Sequence, residues 1–97
     1  MTEKKKFKTE KQMERHLKGI ANHYRIGILL LLKSRSKSTL EEIVEAMKAN
    51  EKTIGEHTRR LHGAGLVDKK YRGRHVEHSL SPYGKIIADF LTSFRNI

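Results

Sequence analysis

Two helix-start signals twelve residues apart constrain this chain more than any other feature. Both lie in the stretch STLEEIVEAMKANEKTIGEHTRRLHGAGLV, residues 38–67. The first is a capping box: Ser38 as cap, with Glu41 three residues on and able to bond back to it. Leu40, Ile43, Val44 and Met47 then recur at helical spacing. Lys48 and Ala49 read as a turn. Asn50 supplies the second cap, because its side-chain oxygen can accept from the free N–H groups of a first helical turn. On the helix that follows, Ile54, Thr58 and Leu61 mark the inward side. Lys52, Glu56, Arg59 and Gly63 lie opposite, with Gly55 on the flank. Two short helices joined by a tight turn, the second freshly capped, have the layout of a helix-turn-helix.

After Gly65 the period changes from helical to alternating. Val67, Lys69 and Tyr71 alternate with Asp68 and Lys70, and Val76, His78 and Leu80 alternate with Glu77 and Ser79. Two such runs around Arg72-Gly73-Arg74 predict a β-hairpin. Before the helix pair, Thr9 caps a helix whose Met13, Leu17 and Ile20 share one face. Asn22 caps another, which is apolar nearly all round from Ile26 to Leu32 and therefore central. After the hairpin, Ser81 and Pro82 open a last helix, with Ile86, Ile87, Phe90, Leu91 and Phe94 on one broad stripe. No internal repeat or linker divides the chain. The expectation is a basic tail over residues 1–8 and one domain over 9–97, mainly α with a small antiparallel β-hairpin.

Ninety-seven residues suffice for one modest core. With 36% hydrophobic residues that core is thin, so a second copy would help bury apolar surface. The formal net charge is +10, from 21 Lys and Arg against 11 Asp and Glu. Such an excess points to a polyanion, nucleic acid before an anionic membrane surface. The chain has no cysteine, which excludes disulfides and thiolate metal sites and is compatible with a reducing cytoplasm. No apolar run approaches the roughly 20 residues of a membrane span, and the basic start lacks the apolar stretch of a secretory signal.

The chemistry of the second helix fits base reading. Lys and Arg can donate to guanine O6 and N7, and Glu can accept from cytosine N4. A solvated face with Glu56–Arg60 and Lys52–Glu56 pairs is the plain alternative. The hairpin tilts the balance: Lys69, Lys70, Arg72 and Arg74 crowd its tip beside His75, and like charges so placed gain from a phosphate backbone. The histidines do not suggest a metal. His75 and His78 point to opposite faces of one strand, His57 and His62 are poorly spaced on one helix, and His16 and His23 sit on separate helices. They read as satisfied surface or groove-edge residues. No nucleophile has a base and an orienting partner, so no enzymatic activity and no cofactor is expected.

At this point the residues resemble a family. GIANHYRIGILLLL looks like the Leu-Ala-Asp-Pro-x-Arg segment that opens the ArsR-type winged helix-turn-helix repressors. KTIGEHTRRLHGAGLV looks like their recognition helix, and KKYRGRHVEHSLSPYG is similar to their wing. The resemblance covers roughly residues 17–94. The Ala-Gly-Leu-Val element is shared with MarR-type proteins, a weaker match. The resemblance implies that Lys52, Thr53, Gly55, Glu56 and Arg59 face the major groove. His57 matches the family's histidine in that helix, Arg60 lies alongside, and Arg72, Gly73 and Arg74 form the wing tip. It further implies a homodimer through Met13, Leu17, Ile86, Ile87, Phe90, Leu91 and Phe94. The chain departs from the family at Thr58, where a core Leu is usual, at Gly55 for Ser, and at His23 for Pro. The family's metal-binding cysteines and C-terminal histidines have no counterparts here.

The sequence therefore predicts a cytoplasmic, dimeric regulator of transcription. It would act as a repressor on double-stranded DNA, reading bases with helix 50–63 and gripping backbone with wing 66–80. Whether any small-molecule or metal effector is sensed stays open. The alternatives are a winged-helix protein–protein adaptor and an RNA-binding module. The adaptor would carry an apolar patch in place of Lys52, Arg59 and Arg74. Base stacking on RNA would need more aromatics than Tyr71 among the basic residues.

Overall fold

Every helix begins where a side chain replaces a missing carbonyl. In the computed structural model, which describes residues 7–97, α1 (Glu10–Ile20) starts from Thr9, reciprocally bonded with Gln12. Asn22 accepts from the backbone N–H groups of Tyr24 and Arg25 to open α2 (His23–Ser34). Asn50 accepts from Thr53 N at 2.7 Å to open α4 (Glu51–Gly63), and Ser81, followed by Pro82, opens α5 (Pro82–Arg95). The expected basic tail falls largely on residues 1–6, outside the described residues. Lys8 is described, and its ammonium sits 3.7 Å over the Tyr83 ring.

One cap differs from the sequence reading. Helix α3 (Leu40–Met47) is capped by Thr39, paired with Glu42, and not by Ser38 with Glu41. Ser38 is otherwise engaged. With Thr39 it forms a two-residue strand, β1 (Ser38–Thr39), and its hydroxyl donates to Arg35 O at 2.7 Å. The hairpin forms as expected from β2 (Val67–Arg72) and β3 (His75–Leu80), with Val67 opposite Leu80 and Tyr71 opposite Val76. Gly73 turns it at φ +63°, a left-handed conformation that costs glycine little. Strand β1 adds antiparallel to β3, giving a three-stranded sheet in the order β1-β3-β2.

The core lies where α2 meets the other elements. Ile28, Leu29 and Leu32 of α2 are buried with Ile43 of α3, Ile54 and Leu61 of α4, and Leu66, Val67 and Leu80 around the hairpin. Helix α5 covers this core with Gly84, Ala88 and Leu91. Leu91, expected at a dimer interface, therefore belongs to the chain's own core, at 8% exposure. Among the described residues no helix is long and apolar enough to cross a membrane.

His78 also departs from expectation: it is buried, with Nδ1 3.2 Å from Ser38 O, where β3 meets β1. Burial pushes its pKa below the ordinary histidine value. The unfolded chain, titrating near ~6.5, then binds a proton that the folded chain refuses. Stability is full above that pH and falls as pH drops from there toward the lower folded pKa. Melts between pH 8 and 5 should show a decline that His78→Gln flattens; an unchanged slope in the variant would remove His78 as its source.

Candidate nucleic-acid interface

The turn that sets α4 against α3 is closed by Lys48 in left-handed conformation, with Ala49 N donating to Val44 O at 3.3 Å. Ile54, Thr58 and Leu61 then anchor α4 on the core. Thr58 is only 2% exposed, so a polar residue does occupy this core position. Its hydroxyl donates to Gly55 O at 3.0 Å, which satisfies it within its own helix.

Anchored in this way, α4 exposes Lys52, Arg59 and Arg60 and half-exposes Thr53, Gly55 and Glu56. Glu56 is bonded to the Arg59 guanidinium and lies 3.3 Å from Arg60 Nε. The Arg59 hydrogen bond and charge, with smaller help from Arg60, hold its carboxyl below the usual range. The expected Glu56–Arg60 pair is present, and Arg59 joins it. In the free protein this one carboxylate therefore restrains two of the cations on the outward face. Glu56→Gln should release both. Affinity for arbitrary duplex should rise about three- to tenfold at low salt, with a steeper salt dependence, while thermal stability, resting on exposed pairs, barely changes. Fluorescence anisotropy at two salt concentrations checks this, and unchanged affinity would show that Glu56 restrains neither arginine.

The wing adjoins this face. A cavity of about 270 Å³ separates α4 from the hairpin, lined by Gly55 and Thr58 on one side and Lys69, Tyr71, Arg74 and His78 on the other. At the tip, Arg72 lies 3.4 Å from Glu77. Lys69, Lys70 and Arg74 make no ion pair among the described residues, and Gly73 sits exposed between Arg72 and Arg74. The structure thus sets the basic wing across one cavity from the Gly55–Thr58 flank of α4.

His57 takes a different position from its neighbours. It turns toward α2, its ring stacked on Tyr24 with centroids 5.2 Å apart and Nδ1 3.3 Å from Arg25 Nη1. Burial first, then the charge of Arg25, lowers its pKa. Arg25 and Tyr24 were not singled out from sequence, since they lie more than 30 residues from His57 and nothing local links them. Also unforeseen are Arg15 and His16. Arg15 Nη2 donates to Gly63 O at 2.7 Å, and the His16 ring lies 2.8 Å from Ala64 O, so α1 satisfies carbonyls at the end of α4. No cluster of three or more metal-ligating side chains occurs among the described residues.

On α1 and α5, Met13, Leu17, Ile86, Phe90 and Phe94 are between 43% and 65% exposed, and Ile87 is half-buried. Phe90 and Phe94 stack with centroids 5.7 Å apart. An apolar groove of about 290 Å³, which includes Met13, Leu17, Ile86 and Ile87, runs between the two helices.

Residues 22–69 match the model of the family described as bacterial regulatory protein, arsR family. A comparison with curated protein sequences finds no match. Among solved structures, the chain is similar to HlyU from Vibrio cholerae, with a TM-score of 0.79 at 22% identity over 87% of this chain and 91% of that one. It is similar to the transcriptional repressor PagR of Bacillus anthracis, with a TM-score of 0.76 at 20% identity over 84% and 93%. It is also similar to the homodimeric winged helix-turn-helix DNA-binding domain of Mb0332 from Mycobacterium bovis, with a TM-score of 0.79 at 20% identity over 95% and 91%.

Proposed function

With its residues 22–69 belonging to the arsR family of bacterial regulatory proteins, this chain is a DNA-binding transcriptional regulator, and we propose that it works as a dimeric repressor. In this reading Lys52, Thr53, Gly55, Glu56 and Arg59 enter the major groove. Arg60, Lys69, Lys70, Arg72, Gly73 and Arg74 follow the backbone. Met13, Leu17, Ile86, Ile87, Phe90 and Phe94 join two copies. The observation that carries the reading is the wing set across one cavity from α4: α4 exposes Lys52, Arg59 and Arg60, and three wing cations, Lys69, Lys70 and Arg74, make no ion pair among the described residues. Such an arrangement lowers its own repulsion by meeting phosphates. The repressor PagR and the homodimeric Mb0332 domain, both of this fold, support the finer points.

Selection of bound duplexes from a random pool at two salt concentrations tests this. The expected product is a near-palindrome whose half-sites lie about one helical turn (~34 Å) apart. Affinity should fall on the order of 10³-fold between 50 and 200 mM salt if about six phosphates are contacted. A flat salt response on duplex DNA would sink the reading.

A further inference from the structure

His57 is fixed from outside its own helix. A guanidinium carries only donors. With Arg25 Nη1 3.3 Å from His57 Nδ1, that nitrogen accepts and the imidazole keeps its proton on Nε2. Tyr24, one residue before Arg25, lies against the ring face and itself packs on His23, with centroids 4.3 Å apart. Helix α2 thus sets both the tautomer and the plane of a side chain on α4. Nε2 is neither buried nor hydrogen-bonded to any described residue. Arg25 gives something up for its placement, since its Nε is buried without a hydrogen-bond partner.

Helical geometry says what the free Nε2–H can meet. His57 stands next to Ile54 and Leu61 around the helix, beside the buried row and away from the Lys52–Glu56–Arg59 ridge. When the ridge of a helix enters the major groove, residues on its flank pass the sugar–phosphate strand.

Resting on the reading of α4 as the groove-entering helix, we propose that Arg25 is a positioning residue for DNA binding: it holds His57 as a neutral imidazole whose Nε2–H is aimed at a backbone phosphate. The contact is a neutral hydrogen bond of fixed direction. It releases no counterion of its own and adds nothing to the salt dependence. It also resists acid. A proton on Nδ1 would set an imidazolium against Arg25, with Arg60 and His23 adding repulsion and Glu56 alone opposing it. Tyr24, the remaining neighbour on α2, adds no charge while it stays a phenol.

The test uses the full chain. The free protein is examined first, without DNA: imidazole nitrogen NMR should find His57 as the Nε2–H tautomer, and in Arg25→Met that tautomer should lose its dominance and His57 should titrate at a higher pH. Binding is then measured by anisotropy on the selected duplex and on an unrelated one. His57→Ala should weaken both about tenfold, with an unchanged salt slope, and His57→Gln should recover part of the loss through its amide N–H. Arg25→Met should weaken binding several-fold at pH 8. That loss should shrink toward pH 6, as the released His57 becomes cationic, and the salt slope should steepen. His75 at the wing is common to all the proteins and cancels in the comparison. Arg25→Lys, which keeps a donor, should restore most of the pH 8 binding. A loss in Arg25→Met that is equal at both pH values, with the tautomer unchanged, would reduce Arg25 to packing. A His57→Ala loss confined to the selected duplex would make His57 a base reader. Either result overturns the proposal. If Arg25→Met melts early, Arg25→Lys and His57→Gln decide. Failure of the unaltered protein to bind any duplex would instead reject the DNA-binding reading while leaving the tautomer measurement standing.

Discussion

Gly84→Ala should lower the melting temperature by roughly 10–20 °C, a large effect for one methyl group in a domain of this size. Gly84 is the third residue of α5 and is buried. A Cβ there would overlap the carbonyl oxygen of Leu66. That oxygen cannot swing aside as a side chain would, because it accepts from Ser81 N at 3.0 Å. Ser81 is fixed in turn: its hydroxyl donates to Gly65 O at 2.7 Å and accepts from Gly84 N at 3.0 Å. The first turn of α5 is therefore clamped to residues 65–66 through backbone atoms, and that dipeptide joins α4 to β2. Overpacking against a fixed backbone belongs at the upper end of the usual 1–3 kcal/mol, roughly. Gly55→Ala and Gly63→Ala are the controls. Nothing lies within 4 Å of a Cβ at either position, so each should stabilise α4, by up to about 1 kcal/mol. Thermal melts followed by circular dichroism would settle the comparison, and a Gly84 variant that melts with the unaltered protein would contradict the clamp.

The same segment shows what a linear reading reaches. Caps and periodicity located all five helices and the hairpin, because those signals are local: Asn22, Asn50 and Ser81 cap the helices they were expected to cap. Strand β1 escaped because two residues have no period. Its formation also explains the shifted cap, since Ser38 and Thr39 are both good caps and only the sheet decides between them. The outward face of α4 was legible from Ile54, Thr58 and Leu61, which fix the rotation of the helix. The inward turn of His57 was not, because Tyr24 and Arg25 reach it only through the tertiary fold. Nor was the burial of His78, which follows from its pairing with Ser38. Helix α5 mixes two faces in one apolar run. Ala88 and Leu91 turn inward and Ile86, Phe90 and Phe94 outward, so a stripe read as one surface is split between core and exterior.

That split makes the proposed dimer testable without unfolding the chain. Phe90→Glu should yield a folded monomer whose affinity for the selected duplex falls on the order of 10⁴-fold. Phe90 is 55% exposed, so a carboxylate there stays hydrated in the monomer and is stripped of water only when a second copy covers it. The size of the loss follows from site counting. A palindrome bound at ~10⁻⁸ M by two copies offers a single copy half its phosphates and half its bases, hence about half the logarithm of affinity. The slope of log affinity against log salt should halve as well, which separates lost dimerisation from a local defect in α4. Leu91→Glu gives the contrast: Leu91 is 8% exposed and faces Ala88 and the core, so that variant should unfold instead of merely dissociating. Sedimentation velocity and the salt titration together decide the matter. A Phe90→Glu protein that still sediments as a dimer with an undiminished salt slope would move the interface off α1 and α5. The exposed phenylalanines would then have to be accounted for by a different partner.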